Sequence, residues 1–487
     1  MLAVANYMET DPLQAPRTLI VGLGATGLSC ARFLTRQGVE VAITDSRQQP
    51  PALADIQKEL PGVALFLGGF DADAFARAER IVLSPGVSLR EPLLEDAQQR
   101  GVEIIGDIEL FARTAIAPVV AITGSNGKST VTTLLGAMAG YAGRDVRVGG
   151  NLGTPALDLI RDHEPDLYVL ELSSFQLETV QSLRCQAATV LNISPDHLDR
   201  YDSIGSYARA KQQVYSAAKV QVVNRDDPRA SALARGNAVT IGFGLSAPTG
   251  QDFGLLDSSA GSWIVKGDDR WLAAGDVRLP GRHNLANALA ALALGDAVGL
   301  PRLAMVHVLR EFQGLPHRTQ WVAERRGVRW LNDSKATNVG AALAAIQGLD
   351  GPLILIAGGQ GKGADFAELA AGMGDNVRAV VLLGEAAVEI EQALNGSLPI
   401  EHAGSMADAV GRAEAIAVAD VIVAGTAADQ SLLSREVVTE ARGSSIRPLH
   451  IVDIGVPRNV DPQVADLAGV SLSDLDDLRD WADRGLS

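Results

Sequence analysis

The chain has 487 residues, 42 Lys and Arg against 58 Asp and Glu, a formal net charge of -16, and 47% hydrophobic and 21% charged residues. That balance supports ordinary buried cores in about three domains and argues against a general nucleic-acid or membrane-surface binder, whose footprint is basic. Its two cysteines, Cys30 and Cys185, are far apart and lack metal spacing, so neither a disulfide scaffold nor a Cys-based zinc site is expected, and a reducing compartment fits.

The opening stretch MLAVANYMETDPLQAPR has no basic start followed by an apolar core, so no signal peptide is expected. The first predicted unit is TLIVGLGATGLSCARFLTRQGVEVAITDSR, a strand, a helix and a second strand. It carries Gly22, Gly24 and Gly27 in the turn and Asp45 at the end of the second strand. By motif alone this is a dinucleotide-binding fingerprint, and it supports a nicotinamide-dependent oxidoreductase as one reading. RIVLSPGVSLREP follows as a strand and a loop with Ser84, Pro85 and Gly86. A boundary is expected near Gly106–Pro118.

VVAITGSNGKSTVTTLLGAM begins as a strand, breaks into a small-residue loop and ends as a helix. Backbone N–H groups in such a loop converge on phosphate oxygens, and the following helix adds its positive end. Gly124, Gly127, Lys128, Ser129 and Thr130 stand where a shortened relative of the Walker loop has its glycines, its lysine and its magnesium-binding hydroxyl. A triphosphate there needs a divalent ion before transfer. Downstream, DLYVLELSSFQLE ends a strand at Glu171, which reads equally as a structural residue or a Mg²⁺ ligand. NISPDHLDRY packs Asp196, His197, Asp199 and Arg200 after another strand, a candidate metal cluster. Lys211 in YARAKQQVY reads, on spacing alone, as a solvated helix lysine.

Residues 245–280, with turn clusters and Trp residues, are expected to form short antiparallel strands. No stretch reaches the roughly 18 apolar residues of a membrane span; LANALAALALGDAVGL is Ala-rich, is interrupted by Asp296 and reads as a packed helix. A second boundary is expected near Glu311–Arg318. Beyond it PLILIAGG, RAVVLLG, DVIVAG and PLHIVDIG are again strand-like. Short apolar runs alternating with helical patterns imply βαβ units and several parallel sheets, an α/β fold.

TGSNGKST, ELSSFQLE, DHLDRY, the lysine of YARAKQQVY, GRHNLANALAA, GLPHR and NDSKATN occur in the order found in the Mur ligases, and the chain resembles that family over about residues 15–417, most closely its D-glutamate-adding branch. The resemblance implies three domains: a Rossmann-like UDP-substrate domain (1–108), a central P-loop ATPase-like parallel sheet with a small antiparallel insert (109–314), and a Rossmann-like amino-acid domain (315–487). It implies ATP, two Mg²⁺ ions, UDP-N-acetylmuramoyl-L-alanine and D-glutamate as ligands, an acyl-phosphate intermediate, and a cytoplasmic, monomeric enzyme of peptidoglycan synthesis without nucleic acid or membrane insertion.

Carried over residue by residue, the resemblance implies that Gly124, Ser125, Asn126, Gly127, Lys128, Ser129, Thr130, Asn287, Arg318 and Asp333 bind ATP. Ser129, Thr130, Glu171 and His197 would hold metal, joined by Lys211 if carbamylated. Lys128, His197, Lys211 and Lys335 would serve catalysis. Gly24, Thr26, Asp45, Ser46, Arg47, Ser84, Gly86 and Asn151 would contact the UDP substrate. Thr337 and Lys362 would lie near the incoming amino acid.

The resemblance breaks after about Ala417. A Ser-rich loop followed by an aromatic is expected there to grip the D-glutamate carboxylates, and the sequence has Thr426, Asp429, Gln430 and Ser431 instead. HIVDIGVPRNVDPQVADLAGVSLSDLDDL resembles the end of the nucleotide-binding domain of glutamyl-tRNA reductase. The expected consequence is weak D-glutamate binding or altered acceptor choice with the ATP and UDP-substrate sites kept; a nucleotide binder that completes no amide is a further reading.

Overall fold

The computed structural model describes residues 17–417 apart from 198–199, 237, 260, 280, 316–319, 326, 337, 350 and 362–363, and beyond them 421–424, 435–436, 439, 449–453, 461–467 and 470–474. These residues belong to two compact units. One lies within 1–320, 332–350 and 362–373, the other within 321–331, 351–361 and 374–487.

The first unit holds two sheets. Strands β1 (Thr18–Val21), β2 (Val41–Asp45), β3 (Ala64–Leu67), β4 (Arg80–Leu83) and β5 (Glu103–Ile105) pair in parallel in the order β3-β2-β1-β4-β5. β1 is buried at every position, as expected for a central strand covered on both faces. The edge strands β3 and β5 are partly exposed and short, and their weak patterns did not mark them out in the sequence.

The second sheet contains β6 (Val119–Thr123), β7 (Val146–Gly150), β8 (Leu167–Glu171), β9 (Ala187–Val190), β10 (Val220–Asn224), β11 (Val239–Phe243), β12 (Phe253–Ser258), β13 (Gly261–Lys266) and β14 (Asp269–Ala273). Their order is β14-β13-β12-β11-β10-β9-β6-β8-β7. The strands from β7 to β12 pair in parallel, and β12-β13-β14 is antiparallel, the insert expected around 245–280.

Chain direction across this sheet explains where a ligand fits. From β6 the chain runs outward to β7, returns to β8 beside β6, then crosses to β9 on the other side of β6. Strand order therefore reverses at β6, and the loops leaving β6, β8 and β9 part around one crevice at their carboxyl ends. In the first sheet β2 and β4 flank β1 in the same way, so the loops after β1 and β4 form a second crevice.

The helix Arg282–Ala297 buries every residue from Ala288 to Gly295 and packs on the helix Lys128–Tyr141 behind the central sheet. Its small alanines allow that close packing. Among the described residues no helix is long and apolar enough to cross a membrane. Cys30 and Cys185 are both buried and unpaired with each other.

A two-stranded pair follows, β15 (Gln320–Arg325) with β16 (Val328–Asn332). In the second unit, β17 (Leu353–Gly358), β18 (Val377–Leu383) and β19 (Ile400–His402) form a parallel sheet. Val381 of this sheet is buried against Ala409 and Ala413 of the helix Met406–Ala417. β20 (Val421–Ala424), β21 (Leu449–Asp453) and β22 (Val470–Asp474) form another parallel sheet.

Candidate active site

The loop after β6 begins at Gly124 and ends at Gly127, whose φ of 83° is left-handed and costs a glycine little. A Cβ at Gly127 would also run into Asn287 Oδ1, so the loop lies directly on the helix Arg282–Ala297. Gly127 precedes the helix Lys128–Tyr141, and Lys128 is its first residue. Lys128 Nζ donates to the carbonyls of Gly124 and Ser125, both at 2.8 Å, which holds the ammonium over the loop that it follows.

Glu171 ends β8 and is buried at 3% exposure. Ser129 Oγ donates to its Oε2 at 2.7 Å, and Asn151 Nδ2 donates to Oε1 at 2.7 Å. Thr130 is buried one residue beyond Ser129. Asn151, expected beside the sugar, is thus fastened to the carboxylate at the head of the phosphate loop. Among the described residues no three His, Cys, Asp or Glu side chains cluster as a ready metal cage. The Ser129 hydroxyl and the Glu171 carboxylate are nevertheless hard oxygen donors in contact. That is the partial set a Mg²⁺ ion uses when phosphate oxygens and water complete its shell.

Lys211 is not the solvated lysine that its spacing suggests. It lies in the helix Ile204–Gln212 at 2% exposure, its Nζ 3.4 Å from Thr123 Oγ1 and 4.6 Å from the Tyr207 ring. Burial, and then the positive charge of Lys128, push its pKa well below the ordinary lysine value, while Asp196 and Glu171 pull it back up. Spacing alone does not tell which face of this helix turns inward; only the resemblance to a family pointed to this lysine.

His197 takes a left-handed backbone, φ 55°, unusual outside glycine. Its ring packs 4.8 Å from Phe175, and its Nε2 stands 3.7 Å from Asp196 Oδ2. Arg200 leaves the expected metal cluster altogether. Its guanidinium lies 4.0 Å over Phe175, pairs with Glu178 at 2.8 Å, and donates to the carbonyls of Pro85 at 2.7 Å and Val87 at 3.2 Å. It therefore ties the loop after β4 to the segment after β9. Asp199 lies outside the described residues.

The second crevice is built around Gly22, φ 98°, where a Cβ would strike Ser84. Ser84 Oγ donates to the Gly22 carbonyl at 2.9 Å, locking the loops after β1 and β4 together. Gly24 caps the helix Ala25–Arg36 with open space around its Cα, and Thr26 stands in the first turn, half-buried. Gly86 is exposed beside it in the chain after Ser84. Asp45, buried at the end of β2, accepts from the N–H of Leu23 at 2.7 Å and of Arg47 at 2.9 Å. Arg47 also grips it through Nε at 2.8 Å and Nη2 at 2.7 Å. Burial raises the Asp45 pKa, but Arg47 and the two N–H groups outweigh it and leave the carboxyl below its ordinary value. A dinucleotide enzyme offers this acid to a ribose hydroxyl. Here the carboxylate is already engaged, which disfavours the oxidoreductase reading. Ser46 follows in the exposed turn.

Asp333 and Lys335 lie in the turn between β16 and the helix Val339–Gly348, and Lys335 is exposed. Arg318, Thr337 and Lys362 lie outside the described residues, as do Thr426, Asp429, Gln430 and Ser431. Sequence reasoning passed over Asn192, Ser194 and Asn338, which surround the phosphate loop. Asn192 Oδ1 accepts from the Asn126 N–H at 2.8 Å, and the Ser194 N–H donates to Ser125 Oγ at 3.0 Å. The only available signal was their position just after a strand or just before a helix.

Gly106–Asp107 follows β5 and opens the helix Asp107–Thr114, which leads from the N-terminal sheet to the central one. Asp107 Oδ2 accepts from Gln176 Nε2 at 3.0 Å, and burial raises its pKa to about 6. A folded-state pKa above the unfolded value stabilises the fold fully below the unfolded pKa, near 4, and that contribution is lost as pH rises through about 6. Asp107→Asn is therefore expected to be more stable than the parent at pH 8, by on the order of 2 kcal/mol, and to lose that advantage near pH 4. Urea unfolding at the two pH values checks it, and an equal difference at both would contradict it.

Comparison with known proteins places the chain's segments in known families. Residues 16–106 match the family model for the Mur ligase MurD-like N-terminal domain, 122–295 the Mur ligase middle domain, and 317–427 the Mur ligase glutamate ligase domain. Residues 401–481 also match the shikimate/quinate 5-dehydrogenase model. The chain is 53% identical over 415 residues to a UDP-N-acetylmuramoylalanine–D-glutamate ligase of Nitrosococcus oceani, covering 84% of this chain and 92% of that protein. It is 50% identical over 403 residues to the protein of that name from Pseudomonas aeruginosa, covering 82% and 90%. Its fold is similar to a pseudomurein peptide ligase type C from Methanothermus fervidus, with a TM-score of 0.52 at 19% identity over 83% of this chain and 94% of that one. It is equally similar to UDP-N-acetylmuramate-alanine ligase from Thermotoga maritima, with a TM-score of 0.52 at 19% identity over 80% and 91%.

Proposed function

The chain belongs to the Mur ligase family, and from that premise we propose that it joins D-glutamate to UDP-N-acetylmuramoyl-L-alanine while ATP is split to ADP and phosphate, in peptidoglycan precursor synthesis in the cytoplasm. The observation that carries the reading is Lys128 folded over the Gly124–Gly127 loop with Ser129 bonded to Glu171, all at the strand-order reversal of the central sheet.

A carboxylate is a poor electrophile. Its oxygen attacks the γ-phosphorus of ATP, a P–O bond forms, the β–γ bridge breaks, and ADP leaves. The amine of D-glutamate then attacks the acyl carbon, the C–N bond forms, the C–O bond to phosphate breaks, and the amine loses a proton. Such a reaction needs positioning and neutralisation of charge above all. Lys128 supplies a cation to the β- and γ-oxygens, and the N–H groups of residues 124–130 cradle them. Ser129, Thr130, Glu171, His197 and a carbamylated Lys211 would hold two Mg²⁺ ions, which when bound neutralise and orient the phosphates and the acyl oxygen. Asn287, Arg318 and Asp333 serve the nucleotide. Gly24, Thr26, Asp45, Ser46, Arg47, Ser84, Gly86 and Asn151 serve the UDP substrate. Lys335, Thr337 and Lys362 serve the incoming amino acid. Domains of 1–108, 109–314 and 315–487 working as a monomer complete the reading.

Phosphate release with ATP, Mg²⁺ and UDP-N-acetylmuramoyl-L-alanine is expected to be stimulated by D-glutamate and to yield the amide. Absence of any substrate-dependent phosphate would overturn the ligase reading. Mg-ATP at 100 times its Kd is expected to stabilise the fold by about 2.7 kcal/mol, and NADPH not at all. The reverse pattern in a thermal shift would restore the oxidoreductase.

The dehydrogenase match over residues 401–481, overlapping the end of the glutamate ligase match at 427, favours a second reading. In it the nucleotide and UDP-substrate sites work but acceptor binding is weak, because Asp429 would repel a substrate carboxylate. A D-glutamate KM no higher than that of the relatives with the Ser-rich loop would exclude it.

A further inference from the structure

Asn126, at the crest of the phosphate loop, does not face open solvent. Its side-chain amide and that of Asn338 exchange hydrogen bonds, Nδ2 to Oδ1 at 3.4 Å in one direction and 3.2 Å in the other. Asn338 Nδ2 also reaches Asp196 Oδ2 at 3.3 Å, and Asn126 Nδ2 reaches Ser194 Oγ at 3.3 Å. At the same time Asn338 Oδ1 accepts from the Ala341 N–H at 2.8 Å and caps the helix Val339–Gly348. A Cβ at Gly340 would stand 3.0 Å from the side chain of Ser194, so the first turn of that helix sits directly on the segment after β9.

One side chain thus divides its work. Its oxygen belongs to the helix that follows it. Its NH₂ belongs to the phosphate loop and to the neighbour of His197. Between Asn338 and β16 lies the turn that holds Asp333 and Lys335.

We propose that Asn338 is a positioning residue that couples occupancy of the phosphate loop to the place of the Asp333–Lys335 turn, so that nucleotide binding preorganises the acceptor side of the site. The identity of the acceptor rests on the ligase reading above; the coupling rests on the geometry alone. An asparagine serving only as a cap would have no need of its NH₂ group, since serine and aspartate cap as well. Aspartate has no donor, and the single O–H of serine on a shorter side chain cannot serve both Asn126 and Asp196 while its oxygen caps.

The test uses Asn338→Ser and Asn338→Asp in the full-length enzyme. Both keep the cap, so the helix is expected to stay folded in both, with Asn338→Ser melting close to the parent and Asn338→Asp below it. Asn338→Ser is expected to raise the acceptor KM about tenfold, the loss of one donor to a charged or polar partner, and to leave the Kd of Mg-ADP within about threefold. Asn338→Asp, which sets a second carboxylate beside Asp196, is expected to do worse. Hydrogen exchange supplies a readout that needs no turnover. Mg-ADP is expected to slow exchange of the amides at 339–343 in the parent and not in Asn338→Ser. Equal protection in both proteins would overturn the coupling, as would a KM for the acceptor unchanged in Asn338→Ser. A parent enzyme that adds no amino acid would sink the ligase reading, and the exchange experiment would still decide the coupling.

Discussion

Lys128→Ala is expected to lose about 10²–10³-fold in kcat, the usual loss when one preorganised charge is taken from a transition state. The reasoning starts with where the ammonium is held. Two loop carbonyls, Gly124 and Ser125, accept from Nζ at 2.8 Å, so the charge sits over the loop proposed to take the phosphates. Negative charge grows on the γ-phosphoryl oxygens and on the departing ADP as the β–γ bond breaks, and no other lysine among the described residues makes contact with this loop's carbonyls. Because the same bonds hold the loop together, the variant also tests structure. Lys128→Arg separates the effects: it keeps the charge and loses the compact geometry. A melting temperature equal to the parent with turnover lost points to charge, and undiminished ATP affinity and turnover in Lys128→Ala would end the account of this site.

The second large effect is expected at Lys211. An amine at 2% exposure, with one long hydrogen bond to a hydroxyl and another lysine acting on it, is poorly suited to stay charged. Its neutral form can add to CO₂: an N–C bond forms, a proton leaves, and the product is a carbamate anion. That anion would face the site of Ser129 and Glu171 as an oxygen donor and would answer the positive charge of Lys128. Lys211→Ala is expected to reduce turnover about 10²–10³-fold while leaving the UDP-substrate site intact. In enzyme equilibrated with ¹³CO₂, a carbamate resonance is expected in the parent and not in the variant, and it should fade as pH falls and the amine is protonated. A parent enzyme with no such resonance and full activity in CO₂-depleted buffer would refute the modification.

The contrast between these two lysines shows what was legible from sequence. Lys128 could be singled out because its pattern is local: strand, glycines, lysine, hydroxyls and helix follow one another within about a dozen residues, and each dictates the backbone of the next. Lys211 could not, because its helix has no apolar stripe strong enough to say which face turns inward, and only the resemblance to a family singled it out. The strands divide in the same way. Continuous apolar runs such as VVAIT and LYVLE announce strands buried on both faces. ALFL, EII and VRVGG lie at sheet edges, where half-exposure relaxes the pattern, and they did not stand out.

By itself the sequence determined the α/β class, the strand, glycine loop, lysine and helix of residues 119–141, the glycine turn of the N-terminal sheet, the antiparallel insert and the acids that end strands, because each is written in short-range spacing. Only the tertiary structure decided that Asn151 and Ser129 share one carboxylate, that Arg200 leaves the metal cluster for the carbonyls of Pro85 and Val87, that Asp45 is closed by Arg47, and that Asn126 meets Asn338 across 212 residues. Those contacts follow from the order of strands in a sheet and the packing of one loop on another. No local periodicity encodes that order, since the same βαβ units could be laid side by side in other sequences of strands.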